Sequence, residues 1–153
     1  MKAIRIQTGL FDAHEEEKKL RCSFPDDGAI VSFQGFVRGK DHNGSSLGKL
    51  YLEHYPAVTE KEIERIVVMA EKRWSLSGVI VIHRIGELKP GEAIILVLVS
   101  GQHRKEVFQA VEFIMDYLKT EAPFWKKEFS EDGKGQWVEV KQSDLEQKKR
   151  WEM

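Results

Sequence analysis

Basic side chains gather at three places where an anion could be held. The first is His103-Arg104-Lys105. It follows an apolar run and opens a helical pattern, so it falls on a helix's first turn, where free N–H groups and the dipole already favour an anion. Basic residues there oppose the dipole at about 0.3–1 kcal/mol each. That is a reason to expect an anionic ligand, although a solvated first turn also accounts for them. The second place is Lys119 with Lys126 and Lys127, which flank Ala122-Pro123-Phe124-Trp125. Lys119 falls in the last turn of the same helix, where a cation suits the dipole without any ligand. If 124–129 is a strand, Lys126 and Lys127 face opposite sides. One can then face a pocket while the other faces water, and Phe124 and Trp125 are either pocket wall or core. The third place is Arg38, Lys40 and His42 in a stretch rich in glycine and serine. A mobile basic loop suits a lid over an anion, and a solvated loop fits the same pattern. Lysines so placed can move protons or stabilise developing negative charge.

The elements that must position these groups follow from periodicity. Ile4 and Ile6 alternate as a short strand, and Asp12 with Glu15 reads as a capping box opening a charged helix to about residue 20. Residues 29–37 alternate as a strand that runs into the loop 38–46, and 49–55 is a strand stopped by Pro56. Thr59 and Glu62 read as a second capping box, with Ile63, Ile66, Val67, Ala70 and Trp74 on the buried face and Gly78 closing the helix. Residues 79–83 and the nearly wholly apolar 93–99 are strands, separated by a Lys89-Pro90-Gly91 turn. The next long helix buries Val107, Phe108, Val111, Ile114, Met115 and Leu118 and ends at Pro123. A hairpin of 124–129 and 136–140 follows, then a charged tail from about 141 in which Ser143 is placed to cap a short helix. The expectation is one domain over 1–153 of α+β class, with two long helices on a mixed or antiparallel sheet and a C-terminal hairpin.

Composition removes several function classes. The formal net charge of −1 gives no global field for nucleic acid or an anionic membrane, so neither partner is expected. One cysteine, Cys22, excludes an internal disulfide and a cysteine-rich zinc site. It lies in a charged stretch with no pattern around it and reads as an inert thiol more readily than as a nucleophile. His54 and His83 fall in strand patterns as satisfied side chains, and no HExxH or facial-triad spacing occurs, so no protein-bound metal or cofactor is expected. The first residues lack the apolar run of a signal peptide, which makes a cytoplasmic location the expectation.

A series of stretches then resembles the catalytic (large) subunit family of molybdopterin synthase. They are Leu52-Glu53-His54-Tyr55-Pro56, Val81-Ile82-His83-Arg84-Ile85-Gly86-Glu87-Leu88, His103-Arg104, Phe113-Ile114-Met115-Asp116-Tyr117-Leu118-Lys119-Thr120, Ala122-Pro123-Phe124-Trp125-Lys126-Lys127-Glu128 and Trp137-Val138-Glu139. The resemblance implies an α/β hammerhead-type fold and a homodimer. Each protomer would bind a small ubiquitin-like sulfur-carrier subunit ending in a Gly-Gly thiocarboxylate, giving a heterotetramer. The implied substrate is cyclic pyranopterin monophosphate, and two sulfur transfers would make the dithiolene of molybdopterin. By resemblance Lys119 and Lys126 are catalytic, and Arg38, His103, Arg104, Lys126, Lys127 and Glu128 bind substrate. Lys141 joins them where some relatives carry arginine; lysine keeps the charge but loses the bidentate fork, and the residue would reach towards the neighbouring protomer's pocket. Two other classes stay open: an adaptor that docks a ubiquitin-like protein, and an anion-binding regulator. A closed pocket around Lys119 and Lys126 argues against the first, and a groove for an extended tail argues against the second.

Overall fold

The computed structural model describes residues 1–152. The chain runs β1 (Lys2–Gln7), α1 (Ala13–Ser23), β2 (Ala29–Phe36), β3 (Leu47–His54), α2 (Val58–Arg73), β4 (Gly78–Arg84), β5 (Gly86–Leu88), β6 (Ala93–Gly101), α3 (Arg104–Glu121), β7 (Phe124–Ser130), β8 (Gly135–Val138) and α4 (Gln142–Lys149). The α+β class and the two long helices are as expected. The strands, however, divide between two sheets. One has the order β1-β4-β6-β2, with β1 parallel to β4 and the remaining pairs antiparallel; the other is the antiparallel β5-β3-β7-β8. Gly86 makes the division. Its φ of 86° lets the chain turn sharply out of β4 and join the second sheet as β5.

Burial on both faces explains the apolar runs of β4 and β6. Val79, Val81, Val97 and Val99 meet Ile63, Ile66 and Val67 of α2 and Val107, Val111 and Ile114 of α3. Ile80, Ile82, Leu96 and Leu98 point the other way and meet Leu20 of α1. A third cluster, Val37, Leu47, Leu50, Leu52 and Leu88, lies with the second sheet and touches Ile94 of the first.

Several local expectations change. Thr59 does not cap α2. Its buried hydroxyl accepts the Tyr55 N–H (2.9 Å) and donates to the Pro123 carbonyl (3.0 Å), tying the start of α2 to the chain beyond α3. The N-terminal carboxylate contact is made by Glu60, which accepts the Ala57 N–H at 3.1 Å, while Glu62 pairs with Arg65. Gly78 opens β4 instead of closing the helix, because a Cβ there would sit 2.5 Å from Leu20. Phe108 is 57% exposed, since the surface available to α3 is narrower than its apolar stripe. Ser143 lies inside α4, and Lys141 holds the N-cap position without a side-chain bond. Residues 38–46, expected as a mobile loop, form a closed hairpin tip. The Asp41 carboxylate accepts the N–H groups of Asn43 and Ser45, both at 2.9 Å, and Lys40 bridges to Ser46.

The tail folds back on α3. Trp151 donates its indole N–H to Asp116 (2.7 Å), Lys148 pairs with Glu121 (3.1 Å), and Arg150 reaches Asp116 (3.0 Å). Among the described residues no helix is long and apolar enough to cross a membrane.

Phe113 is fully buried, with ring centroids of Trp74, Tyr117 and Trp151 at 5.4, 4.5 and 5.5 Å. Phe113→Ala is expected to cost about 3–5 kcal/mol in urea unfolding, and Phe108→Ala on the same helix about 0.5 kcal/mol or less. Equal losses at the two positions would contradict the burial pattern.

Candidate active site: a basic cleft between the two sheets

Helix α3 starts where β6 ends and runs back along the sheet. Its last turn therefore returns Lys119 to the end where β6 begins and β4 stops. There the first sheet faces the second, and a cleft of about 260 Å³ opens between them. On β7, Phe124, Lys126 and Glu128 share the face turned to the cleft, as alternation requires. Arg38 enters from just beyond β2, and Lys141 from the start of α4. Chain segments far apart in sequence thus supply Arg38, Lys40, Lys119, Lys126 and Lys141 against only Glu128, Glu139 and Asp144. Among the described residues none of those five cations makes an ion pair within 4.0 Å. Unpaired positive charge in a half-enclosed cleft is suited to a phosphate or a carboxylate-like group.

Burial holds the Lys126 ammonium below the usual lysine range. Glu128 opposes the shift, and the charges of Lys119, Lys141 and Arg38 add to it. His83 lines the cleft at the end of β4, its ring stacked on Phe124 at 3.9 Å and 18° between planes. Its Nδ1 lies 2.8 Å from the Arg84 carbonyl, an acceptor, so Nδ1 carries the proton. Burial, with the Lys119 and His54 charges, lowers the ring's pKa to about 4, leaving a neutral imidazole at pH 7. The sequence reading of His83 as a satisfied strand residue is right about the hydrogen bond and misses the cleft. Its position at a strand end was the only signal.

Arg38, Lys119, Lys126, Glu128 and Lys141, all expected site residues, come together. Three others do not. His103 and Arg104 are exposed at the far end of α3, and the fifteen residues from Arg104 to Lys119 span about 22 Å of helix. Lys127 faces away, lying over the rings of Phe129 (5.3 Å) and Trp137 (5.2 Å). Trp125 also points outwards, half-exposed beside Tyr55, so Phe124 alone of that pair is cleft wall. Among the described residues no group of three or more His, Cys, Asp or Glu side chains is placed to hold a metal ion.

Comparison with known proteins gives a consistent set of matches. Residues 6–121 match the family model described as "MoaE protein". A molybdopterin synthase catalytic subunit from Mesorhizobium japonicum is 49% identical over 149 residues, covering 97% of this chain and 92% of that protein. A molybdopterin biosynthesis MoaE protein from Burkholderia ambifaria superposes with a TM-score of 0.85 at 42% identity, covering 100% of this chain and 99% of the other. A chain in a complex of subunits 1 and 2 of molybdopterin-converting factor from Helicobacter pylori shares the fold, with a TM-score of 0.71 at 23% identity over 91% of this chain and 90% of its own.

The electrostatics of the cleft predict a coupled titration. The ammonium form of Lys126 is the penalised one, so removing a neighbouring cation raises its pKa and removing a neighbouring anion lowers it. In an NMR titration of the lysine side chains, Lys126 is expected below the surface lysines. Lys119→Met should move it up towards them, and Glu128→Gln should move it further down. A Lys126 signal insensitive to both changes would remove the coupling.

Proposed function

The chain belongs to the MoaE protein family, the family of the molybdopterin synthase catalytic subunits it matches over most of its length, and on that premise we propose how its cleft works. It transfers sulfur from the C-terminal thiocarboxylate of a small ubiquitin-like carrier subunit to cyclic pyranopterin monophosphate. Two transfers make the dithiolene of molybdopterin. The observation that carries this reading is the convergence of Arg38, Lys119, Lys126 and Lys141, unpaired, on one cleft. An adaptor that merely docks a partner has no use for a half-buried lysine held below its ordinary pKa.

The chemistry asks for what these groups offer. Both reactants are anions, a thiocarboxylate and a cyclic phosphate, so bringing them together in one cleft needs fixed positive charge. In each transfer the thiocarboxylate sulfur bonds to a precursor carbon as an oxygen leaves that carbon. Water then cleaves the resulting thioester so that the donor departs as a carboxylate, and protons must move to and from the reacting oxygens. Lys126, partly buried beside other cations, has a pKa displaced towards neutrality and can serve either as a charge or as a proton donor. Lys119, at the open end of α3, steers the thiocarboxylate and stabilises the departing oxygen. Arg38 and Lys141 hold the phosphate. A Gly-Gly tail has no side chains to obstruct a narrow cleft. The two-subunit assembly of the Helicobacter pylori relative supports a small partner here too.

His103 and Arg104 belong to this scheme only through a second copy. Their distance from Lys119 along one helix prevents them from reaching the same substrate, whereas a two-fold dimer can bring one protomer's α3 N-terminus to its partner's cleft. A homodimer binding two carriers is the assembly that uses all these residues.

The direct test mixes the purified chain with thiocarboxylated carrier and cyclic precursor and looks for dithiolene product by mass spectrometry. Lys119→Ala should stay folded and bind the carrier, yet slow single-turnover product formation by ~10²-fold or more. A rate within a few-fold of the unaltered chain would leave Lys119 a cation that merely satisfies a helix C-terminus.

Sharing of sites between protomers has its own test. Arg104→Ala and Lys119→Ala chains are each expected to be poor alone. Refolded together in equal amounts they should recover roughly a quarter of full activity, because half the dimers then hold one intact site. No recovery would place Arg104 outside the partner's cleft.

A further inference from the structure

Glu128 lines the cleft beside Lys126, but one of its oxygens is already engaged from behind. The residue is 7% exposed, and its Oε1 accepts the backbone N–H of His42 at 3.1 Å and a second hydrogen bond from His42 Nδ1. A carboxylate can only accept, so Nδ1 carries the proton. His42 itself does not line the main cleft. It sits with Asp41 and Ser130 in a shallow depression on the other side of Glu128.

What His42 holds is a small rigid body. The Asp41 carboxylate accepts from Asn43 and Ser45, the Asp41 N–H donates to the Ser45 carbonyl at 2.8 Å, and the Leu47 N–H donates to the Gly39 carbonyl at 3.0 Å. The Asp41 bonds are internal to the tip, and the Leu47 bond closes its base on the first residue of β3. Among the described residues, the two bonds to Glu128 are the ones that tie residues 38–46 to an element other than the adjoining β3. The same tip carries Arg38 and Lys40 to the cleft.

We propose that His42 is a positioning residue: through buried Glu128 it fixes the hairpin tip against β7 and so holds Arg38 and Lys40 over the anion that the cleft binds. His42 touches no substrate. Removing its ring frees a tip that is otherwise solvated, and leaves a buried carboxylate oxygen with one donor fewer. The clamp stands on this geometry alone, while its value to catalysis rests on the proposed sulfur transfer.

The test uses the full chain with His42→Ala and His42→Asn, the latter because an asparagine amide N–H can take the place of Nδ1–H. Amide hydrogen exchange of residues 39–46, measured without ligand, should speed up about tenfold in His42→Ala, the loss of one hydrogen bond to a charged group. His42→Asn should restore most of the protection. Titration with cyclic pyranopterin monophosphate should show a Kd raised several-fold in His42→Ala and recovered in His42→Asn. The single-turnover rate at saturation should change little, in contrast to Lys119→Ala. Unchanged exchange in His42→Ala overturns the proposal, and so does faster exchange with unchanged Kd. If the unaltered chain neither binds nor converts the precursor, the sulfur-transfer reading fails, and exchange still decides whether His42 clamps the tip.

Discussion

The pairing of β4 with β6 sets the geometry of everything around it. Val79 stands opposite Val99 and Val81 opposite Val97, so these four face α2 and α3 while Ile80, Ile82, Leu96 and Leu98 face α1. Because both faces are buried, a slip of one residue would exchange the two sets and mismatch both layers at once. The end of β6 also fixes where α3 begins. A Cβ on Gly101 would meet Val107 at 3.0 Å and the Ser75 carbonyl at 3.3 Å, so strand, helix and the end of α2 approach closely there. From that point the length of α3 alone determines that Lys119 comes back beside Ile94, Ile95 and His83.

The cleft exists because the chain leaves one sheet and enters another at Gly86. The space between the sheets is lined with apolar residues such as Leu52, Ile94 and Leu118, and cations project into it from elements of both. Arg38, Lys40, Lys119 and Lys141 keep exposed side chains, but Lys126 is partly buried among them, and the loss of solvation together with like-charge repulsion depresses its ammonium. Two ways of relieving this are visible. Glu128 offsets part of the charge, and a bound anion would offset the rest. Using one oxygen of Glu128 to hold His42 leaves the carboxylate facing Lys126 fixed in place.

The C-terminal segment is charged in sequence yet is held by an aromatic anchor. Trp151 packs edge-on against Trp74 at 5.6 Å and Phe113 at 5.5 Å, and the Arg73 guanidinium lies 5.1–5.6 Å from the three rings. Cation–π contacts and buried ring area stabilise the docking more than the surrounding surface ion pairs do. The consequence reaches the cleft, because Lys141 is the N-cap of α4 and the docking of that helix on α3 keeps the side chain at the rim.

Periodicity alone determined most of the elements and their buried faces, although the three-residue β5 was too short to show a repeat. Val107, Val111, Ile114 and Leu118 are core as their spacing requires, and alternation along 124–129 correctly separates Lys126 from Lys127. These are local properties, written in each element's own repeat. The series of family-like stretches added the activity and a set of site residues. Only the tertiary structure decided which of those residues meet: Arg38, Lys119, Lys126, Glu128 and Lys141 do, while His103 and Arg104 stay at the other end of their helix. It likewise decided that the Thr59 hydroxyl serves the Pro123 carbonyl and not a helix cap, and that His42 finds Glu128 across 86 residues of chain. Such meetings depend on strand order, register and the point where the chain changes sheet. A repeat of two or 3.6 residues shows which way a side chain points, but carries no record of what lies opposite it.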